Sequence, residues 1–155
     1  MTTTEAGKPV TTEQQELIDA IATTAFRVMA VLSKLANEND LSLTQLRMLG
    51  ILRDRRLKIS ELAVGLGLDR TTVSGLVDRT EKRGLVQRSP HPLDGRSVQV
   101  TLSPHGASAA EHGAKEIAIS LSSMTGALNR AESQRLTTLL ERMLELGNRE
   151  TPSRD

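Results

Sequence analysis

The stretch from Ile59 to Leu102 constrains the fold of this chain more than any other part. Apolar residues recur at helical spacing on both sides of Gly67, and glycine can adopt the positive φ that a tight turn between two helices needs. Asp69 is a candidate N-cap for the second helix, and Gly84 is a candidate C′ residue at its end. Two strand-like segments follow around a turn that contains Pro and Gly. The predicted order is therefore helix, turn, helix, hairpin.

Positive charge is concentrated in the same part of the chain. Residues 42–103 hold 11 Lys and Arg against 6 Asp and Glu, a net charge of +5, whereas the complete chain carries only +1. This uneven distribution fits a polyanionic partner such as nucleic acid. It also fits a surface that is merely solvated, so charge alone does not decide between the two.

The order of residue types in this stretch is more specific than its charge. Small, apolar and glycine residues occupy the positions that a DNA-binding helix-turn-helix requires, namely Leu62, Ala63, Leu66, Gly67, Leu68, Val73 and Leu76. The pattern continues through residues 77–79, 81–86, Arg88, 94–96 and 100–103. It resembles the MarR family of winged-helix transcription regulators, and the resemblance extends over nearly the whole chain. Two positions depart from that family's pattern: Thr80 replaces a common leucine, which is expected to loosen packing under the second helix, and Gly95 removes one cation from the wing.

The resemblance implies a mainly α fold with a small β-hairpin wing (α+β), in which N- and C-terminal dimerisation helices flank a winged helix-turn-helix. Residues 42–103 are the expected DNA-binding lobe, and residues 12–41 and 104–148 are the expected helical dimerisation region. Residues 1–11 are polar and small, and we expect them to be disordered. Residues 149–155 are expected to form a flexible tail.

Helix starts agree with this division. Thr12 with Gln15 and Ser42 with Gln45 have the spacing of a capping box, and Ser103 precedes a proline as an N-cap residue often does. These signals predict helices over about 13–37, from 42 to about 54, from 104 to Gly126 or Asn129, and over about 132–146.

The first predicted helix has an apolar stripe broader than one neighbouring helix can cover. We therefore expect it to pack on two partners, one of them from a second copy of the chain. In the hairpin, alternation predicts that Val98, Val100 and Leu102 point inward and that Gln99 and Thr101 point outward.

The outward face of the second motif helix mixes short hydrogen-bonding side chains with arginines, and such a surface can approach base edges closely. The candidate DNA-binding residues on it are Arg70, Thr71, Thr72, Ser74, Gly75, Asp78 and Arg79. Arg56 and Lys58 precede the motif and are candidate phosphate contacts. The resemblance also implies that Arg96, at the wing tip, reaches the minor groove while Asp94 orients it.

The resemblance further implies a pocket for a small, often phenolic or acidic ligand where the dimer helices meet the DNA-binding lobe. The candidate pocket residues are Phe26, Met29, Arg47 and Met48. Plain core packing explains each of these four residues equally well.

Other chemistry is not indicated by the sequence. The chain has no cysteine, and His105 and His112 by themselves make a weak metal pattern. No motif for a nucleophile or a phosphate-binding loop is present, so we expect no enzyme activity, no metal and no cofactor. With neither a signal sequence nor an apolar run near the roughly 20 residues of a membrane span, we expect a cytoplasmic protein.

The favoured hypothesis is a sequence-specific DNA-binding transcription regulator. It would act as a homodimeric repressor on a pseudo-palindromic operator of double-stranded DNA, and a small-molecule effector would release it. One alternative is an architectural protein that binds AT-rich DNA and antagonises silencing. Another is a helical dimer whose degenerate winged helix contacts a protein partner.

Overall fold

The computed structural model describes residues 10–150, with side chains described for residues 10–145. In chain order the elements are α1 (Thr12–Glu38), α2 (Leu43–Leu52), β1 (Leu57–Lys58), α3 (Ile59–Leu66), α4 (Arg70–Lys82), β2 (Val86–His91), β3 (Asp94–Leu102), α5 (Pro104–Thr125) and α6 (Arg130–Glu150). This mainly helical architecture with a small antiparallel sheet confirms the predicted fold class. The chain forms two compact units, one up to Ala118 and one from Ile119 onward.

The first helix begins one residue earlier than predicted. Thr11, not Thr12, is the N-cap: its Oγ1 accepts from the Gln14 backbone N–H at 3.2 Å, and its own N–H donates to Gln14 Oε1 at 3.0 Å. Two successive threonines are each followed by a glutamine three residues later, so spacing alone could not separate the two capping boxes.

The predictions for the chain ends fall largely outside the described residues. Of the expected disordered segment 1–11, residues 1–9 lie outside them, and of the expected tail 149–155, residues 151–155 do. Helix α6 runs to Glu150, further than the predicted end near residue 146. Its start is fixed by reciprocal bonds between Asn129 and Glu132, in which each backbone N–H donates to the other side chain.

The turn between α3 and α4 is the one that the sequence predicts. Gly67 has a φ of 67°, and its N–H and that of Leu68 return to the carbonyls of Val64 and Ala63. Asp69 then caps α4 by accepting from the Thr72 backbone N–H at 2.9 Å. The left-handed glycine and the carboxylate cap together fix where one helix ends and the next begins.

The sheet contains a strand that the sequence did not reveal. Its order is β1-β3-β2, so that β3 is central and antiparallel to both neighbours. Strand β1 consists of Leu57 and Lys58 alone, which is too short for any alternation to be recognised.

The predicted burial of two residues in β3 is wrong. Gln99 is only 5% exposed and donates from Nε2 to Ser89 Oγ at 3.3 Å, whereas Val98 is exposed. Gln99 is paired on both sides, with Lys58 and with Ser89, so its neighbours cover it. Val98 is paired with Pro90 nearer the turn of the hairpin, beyond the two residues of β3 that β1 pairs with.

The core lies where α2, α3 and α4 meet the sheet. Its fully buried side chains are Met48, Leu49, Leu52, Leu62, Val73, Val77, Thr80, Val86 and Val100. Thr80, which was expected to loosen this packing, is completely buried and its hydroxyl is hydrogen-bonded.

Helix α5 starts against Leu85, which lies between α4 and β2. Ser103 is its cap, as predicted, and accepts from the Gly106 backbone N–H at 2.9 Å. The Ser103 backbone N–H donates to the Leu85 carbonyl at 3.0 Å. Gly106 packs so closely on Leu85 that a Cβ placed on it would lie 1.7 Å from that carbonyl oxygen.

Candidate nucleic-acid interface

Helix α4 divides cleanly into a buried face and an exposed face. Val73, Leu76, Val77 and Thr80 are buried. The predicted DNA-binding residues lie on the rest of the helix surface: Arg70, Thr71, Thr72, Asp78 and Arg79 are exposed, and Ser74 and Gly75 are half-buried. The structure therefore brings all seven of these candidates onto the accessible surface of one helix.

Gly75 leaves room on this face for an arginine. A Cβ placed at Gly75 would lie 3.4 Å from Arg79 Nη1, so the guanidinium of Arg79 lies back over the glycine. A side chain at position 75 would compete for the same space. The glycine thus gives α4 a smooth surface that a groove can approach.

An ion-pair network that the sequence did not predict ties the wing to α4. Arg88, on β2, donates from Nη2 to Asp78 Oδ1 at 2.6 Å and from Nη1 to Glu81 Oε2 at 2.5 Å. The Arg88 backbone N–H also donates to Glu81 Oε1 at 3.1 Å. Partial burial opposes the charged form of Arg88, but the hydrogen bonds and charges of Asp78 and Glu81 outweigh it and raise its pKa. Asp78, a candidate DNA contact, therefore also anchors the wing.

The wing tip is shaped by short-range hydrogen bonds. Asp94 Oδ1 accepts from the Arg96 backbone N–H at 3.2 Å, and Ser97 Oγ donates to the Asp94 carbonyl at 3.2 Å. Arg96 is exposed. Asp94 thus orders the main chain at Arg96. Its support of Arg96 is through the backbone and not through contact with the guanidinium.

The basic segment before α3 lies at the surface. Arg56 is exposed, and Lys58 is half-buried in β1 with its backbone N–H donating to Glu61 Oε2 at 2.7 Å. Arg53 lies nearby and forms a 3.5 Å ion pair with Asp54. Arg56 and Lys58 are therefore placed next to the helix-turn-helix, as phosphate contacts require.

A cavity of about 570 Å³ lies between α1, α2, the turn after α2, and α5. Met29 and Arg47, two of the four predicted pocket residues, line it. Phe26 is 77% exposed and is not among the lining residues, and Met48 is fully buried in the core, where plain packing explains it. Arg47 Nη2 also donates to the Gly65 carbonyl, near the end of α3, at 3.1 Å.

Two further observations concern the described residues alone. His105 and His112 are both exposed on α5, and across residues 10–145 no three His, Asp or Glu side chains come together as a metal site. Helices long and apolar enough to cross a membrane are absent from the described part of the chain.

A helix-turn-helix with an accessible second helix, followed by an ion-paired hairpin, defines a winged helix-turn-helix protein. Residues 39–97 match the sequence model of the MarR family. The chain is 41% identical over 64 residues to an uncharacterized HTH-type transcriptional regulator, YfiV, from Bacillus subtilis strain 168, an alignment that covers 41% of this chain and 40% of YfiV. It is 34% identical over 87 residues to the HTH-type transcriptional repressor NicR from Pseudomonas putida, covering 56% of this chain and 54% of NicR. The alignments thus span about half the length of these curated relatives.

Solved structures extend the likeness over most of the chain. AbsC, a MarR family transcriptional regulator from Streptomyces coelicolor, shares the fold with a TM-score of 0.75 at 20% identity, covering 90% of this chain and 97% of AbsC. BpsR from Bordetella bronchiseptica, whose DNA binding is regulated by 6-hydroxynicotinic acid, has a TM-score of 0.68 at 27% identity, covering 88% of this chain and 97% of BpsR. Residues 39–97 thus match the MarR family in sequence, and most of the chain shares the fold of solved MarR family regulators. AbsC and YfiV are described as transcriptional regulators and NicR as a transcriptional repressor.

Proposed function

We propose that the chain is a sequence-specific DNA-binding transcription regulator that represses from a pseudo-palindromic operator as a homodimer. The observation that carries this proposal is the geometry of α4. Its accessible surface holds Arg70 and Arg79 among short polar side chains, and Arg88 locks the wing beside it. A helix of this kind reads base edges in the major groove, while the wing and the basic segment contact the backbone and minor groove.

Unpaired apolar surface supports the homodimer. Helix α1 exposes Leu17, Ile18, Phe26 and Met29, and helix α6 exposes Leu136, Leu140, Met143 and Leu144. Several large apolar side chains exposed along one helix are typical of surfaces that pair with another copy of the chain. A symmetric dimer would present two copies of α4 to half-sites roughly 34 Å apart on one face of the duplex.

The cavity supports an effector of defined chemistry. Its walls include the apolar side chains of Met29, Leu32, Leu46, Ile51 and Ile117. Three arginines, Arg47, Arg53 and Arg55, line it against one carboxylate, that of Asp54. An apolar body with an anionic group suits such a cavity. BpsR responds to an acid of this type, 6-hydroxynicotinic acid, and we propose that a small organic anion releases this protein from its operator.

Competition binding tests the DNA-reading assignment. Arg70→Ala and Arg79→Ala should each weaken binding to the upstream DNA of the protein's own gene by about 1–3 kcal/mol per good base contact. Each should also lower the ratio of the affinity for this DNA to the affinity for scrambled duplex. Arg130→Ala removes the same charge from an exposed position on α6 and should leave that preference unchanged. If Arg70→Ala and Arg79→Ala weaken specific and scrambled duplex equally, α4 does not read bases.

A further inference from the structure

A buried polar chain links α2 to the interior of α4. Thr80 is 0% exposed, and its hydroxyl donates to the Leu76 carbonyl at 2.8 Å while accepting from Gln45 Nε2 at 3.1 Å. Gln45 is 8% exposed, and its Oε1 accepts from the Ser42 backbone N–H at 2.9 Å. The three hydrogen bonds form one connected path from the start of α2 to a backbone carbonyl of α4.

The two ends of this path depend on each other. A leucine at position 80 would bury Gln45 Nε2 without a partner, which is costly for a donor removed from water. Conversely, an apolar residue at position 45 would remove both the acceptor for the Ser42 backbone N–H and the partner of Thr80. Within residues 10–145 every buried side-chain nitrogen and oxygen has a hydrogen-bond partner, so the pair is fully satisfied.

The Gln45–Thr80 hydrogen bond contributes something that the apolar contacts around it do not. Val73, Leu76 and Val77 hold α4 through apolar packing, which is strong but non-directional. A hydrogen bond is directional and weakens steeply with misalignment. Rotating a helix by about 10° displaces a group about 6 Å from its axis by about 1 Å. A displacement of that size is enough to break a base contact made at ordinary hydrogen-bond distance.

We propose that the Gln45–Thr80 hydrogen bond sets the rotation of α4 about its own axis, and that Thr80 is therefore a positioning residue for base reading. The inference rests on the proposed function, because it concerns the residues of α4 that face the duplex. Arg79 adjoins Thr80 in sequence, so its direction follows directly from that rotation.

Two substitutions at position 80 separate the hydrogen bond from packing. Thr80→Val keeps the shape of the side chain and removes the hydroxyl, whereas Thr80→Ser keeps the hydroxyl and removes a methyl group. The measured quantity is the ratio of affinities for the protein's own upstream DNA and for scrambled duplex at one salt concentration. Thr80→Val should lower this ratio about tenfold, as expected when one base contact is misaligned, with affinity for scrambled duplex within about twofold of wild type because phosphate contacts dominate it. Thr80→Ser should keep the wild-type ratio.

The opposite result overturns the proposal: an unchanged ratio in Thr80→Val, or equal losses in both variants, would assign Thr80 to packing alone. A wild-type protein that does not distinguish the two duplexes would instead contradict the proposed function. The orientation of α4 then remains measurable without DNA, from residual dipolar couplings of its backbone amides. A reoriented α4 in Thr80→Val, with a wild-type α4 in Thr80→Ser, supports the positioning role. Identical orientations in both variants overturn it.

Discussion

Gly106 gives the most direct test of how α5 is joined to the winged helix. A Cβ at this position would lie 1.7 Å from the Leu85 carbonyl oxygen and 2.7 Å from its carbon. Both atoms are backbone, so no side-chain rotation can relieve the contact. In Gly106→Ala the start of α5 must move away from Leu85 by more than an ångström. That shift disrupts the hydrogen bond from the Ser103 N–H to the Leu85 carbonyl and the Ser103 cap of α5.

The magnitude follows from these separate effects. Overpacking costs about 1–3 kcal/mol, and the lost hydrogen bond and cap cost about 1 kcal/mol each. The higher helix propensity of alanine offsets about 1 kcal/mol of this loss. The net loss is about 2–4 kcal/mol, which lowers the Tm of a chain of this size by roughly 5–15 °C.

Gly113 in the same helix is the matched control. A Cβ there would meet Leu46 Cδ1 at 3.8 Å and Leu35 Cδ2 at 4.0 Å, which are ordinary contacts. Gly113→Ala should therefore raise the free energy of unfolding by about 0.5–1 kcal/mol. Thermal unfolding followed by circular dichroism, at one protein concentration for all three proteins, measures both changes. If Gly106→Ala is as stable as wild type or more stable, the close approach at Leu85 does not exist in solution.

Three further predictions concern charged side chains. Arg88→Met should lower the free energy of unfolding by about 1 kcal/mol, since the ion pairs with Asp78 and Glu81 are partly exposed. The difference between the urea midpoints of wild type and variant should shrink in high salt. Equal midpoints at low salt would show that these ion pairs do not stabilise the wing against α4. Arg96→Ala should make the slope of log K against log salt shallower by about one unit if it neutralises one phosphate, and an unchanged slope and affinity would mean that the wing does not dock. The hydroxyl and backbone N–H of Thr72 lower the pKa of Asp69 below its ordinary value of 3.8, so its stabilisation is present above pH 3.8 and is lost as the pH falls through the lower, folded-state value. Asp69→Asn lacks this titration, and urea midpoints from pH 2 to pH 7 should show the advantage of wild type shrinking in acid; a constant difference would contradict the charged cap.

Features that depend on neighbours in sequence could be predicted well. In ending or capping their helices, Gly67, Asp69 and Ser103 use their own φ angle or backbone groups at most three residues away, so residue type and spacing were sufficient. The exposed face of α4 followed from helical periodicity for the same reason. Where two local signals competed, as at Thr11 and Thr12, spacing could not choose between them.

Features that depend on distant partners could not be predicted. Arg88 meets Asp78 and Glu81 only because β2 folds back along α4, and Gln45 meets Thr80 across 35 positions of sequence. Gln99 is buried because β1, a strand of two residues, covers one side of β3. The pocket predictions divided for a related reason. Met29 and Arg47 line the cavity, whereas Met48 is buried in the core. Arg47 and Met48 differ because adjacent residues of a helix face different directions.

Hydroxyl-radical footprinting on the DNA upstream of the protein's own gene tests whether the protein binds a specific operator as a homodimer. A homodimer that reads sequence should give a discrete protected site made of two half-sites whose centres are about one helical turn apart, 10–10.5 base pairs, on one face of the duplex. Scattered protection that favours AT-rich DNA would instead indicate an architectural protein, and no protection at low salt would indicate a winged helix that contacts a protein partner. Either of those results would contradict a sequence-specific homodimeric regulator.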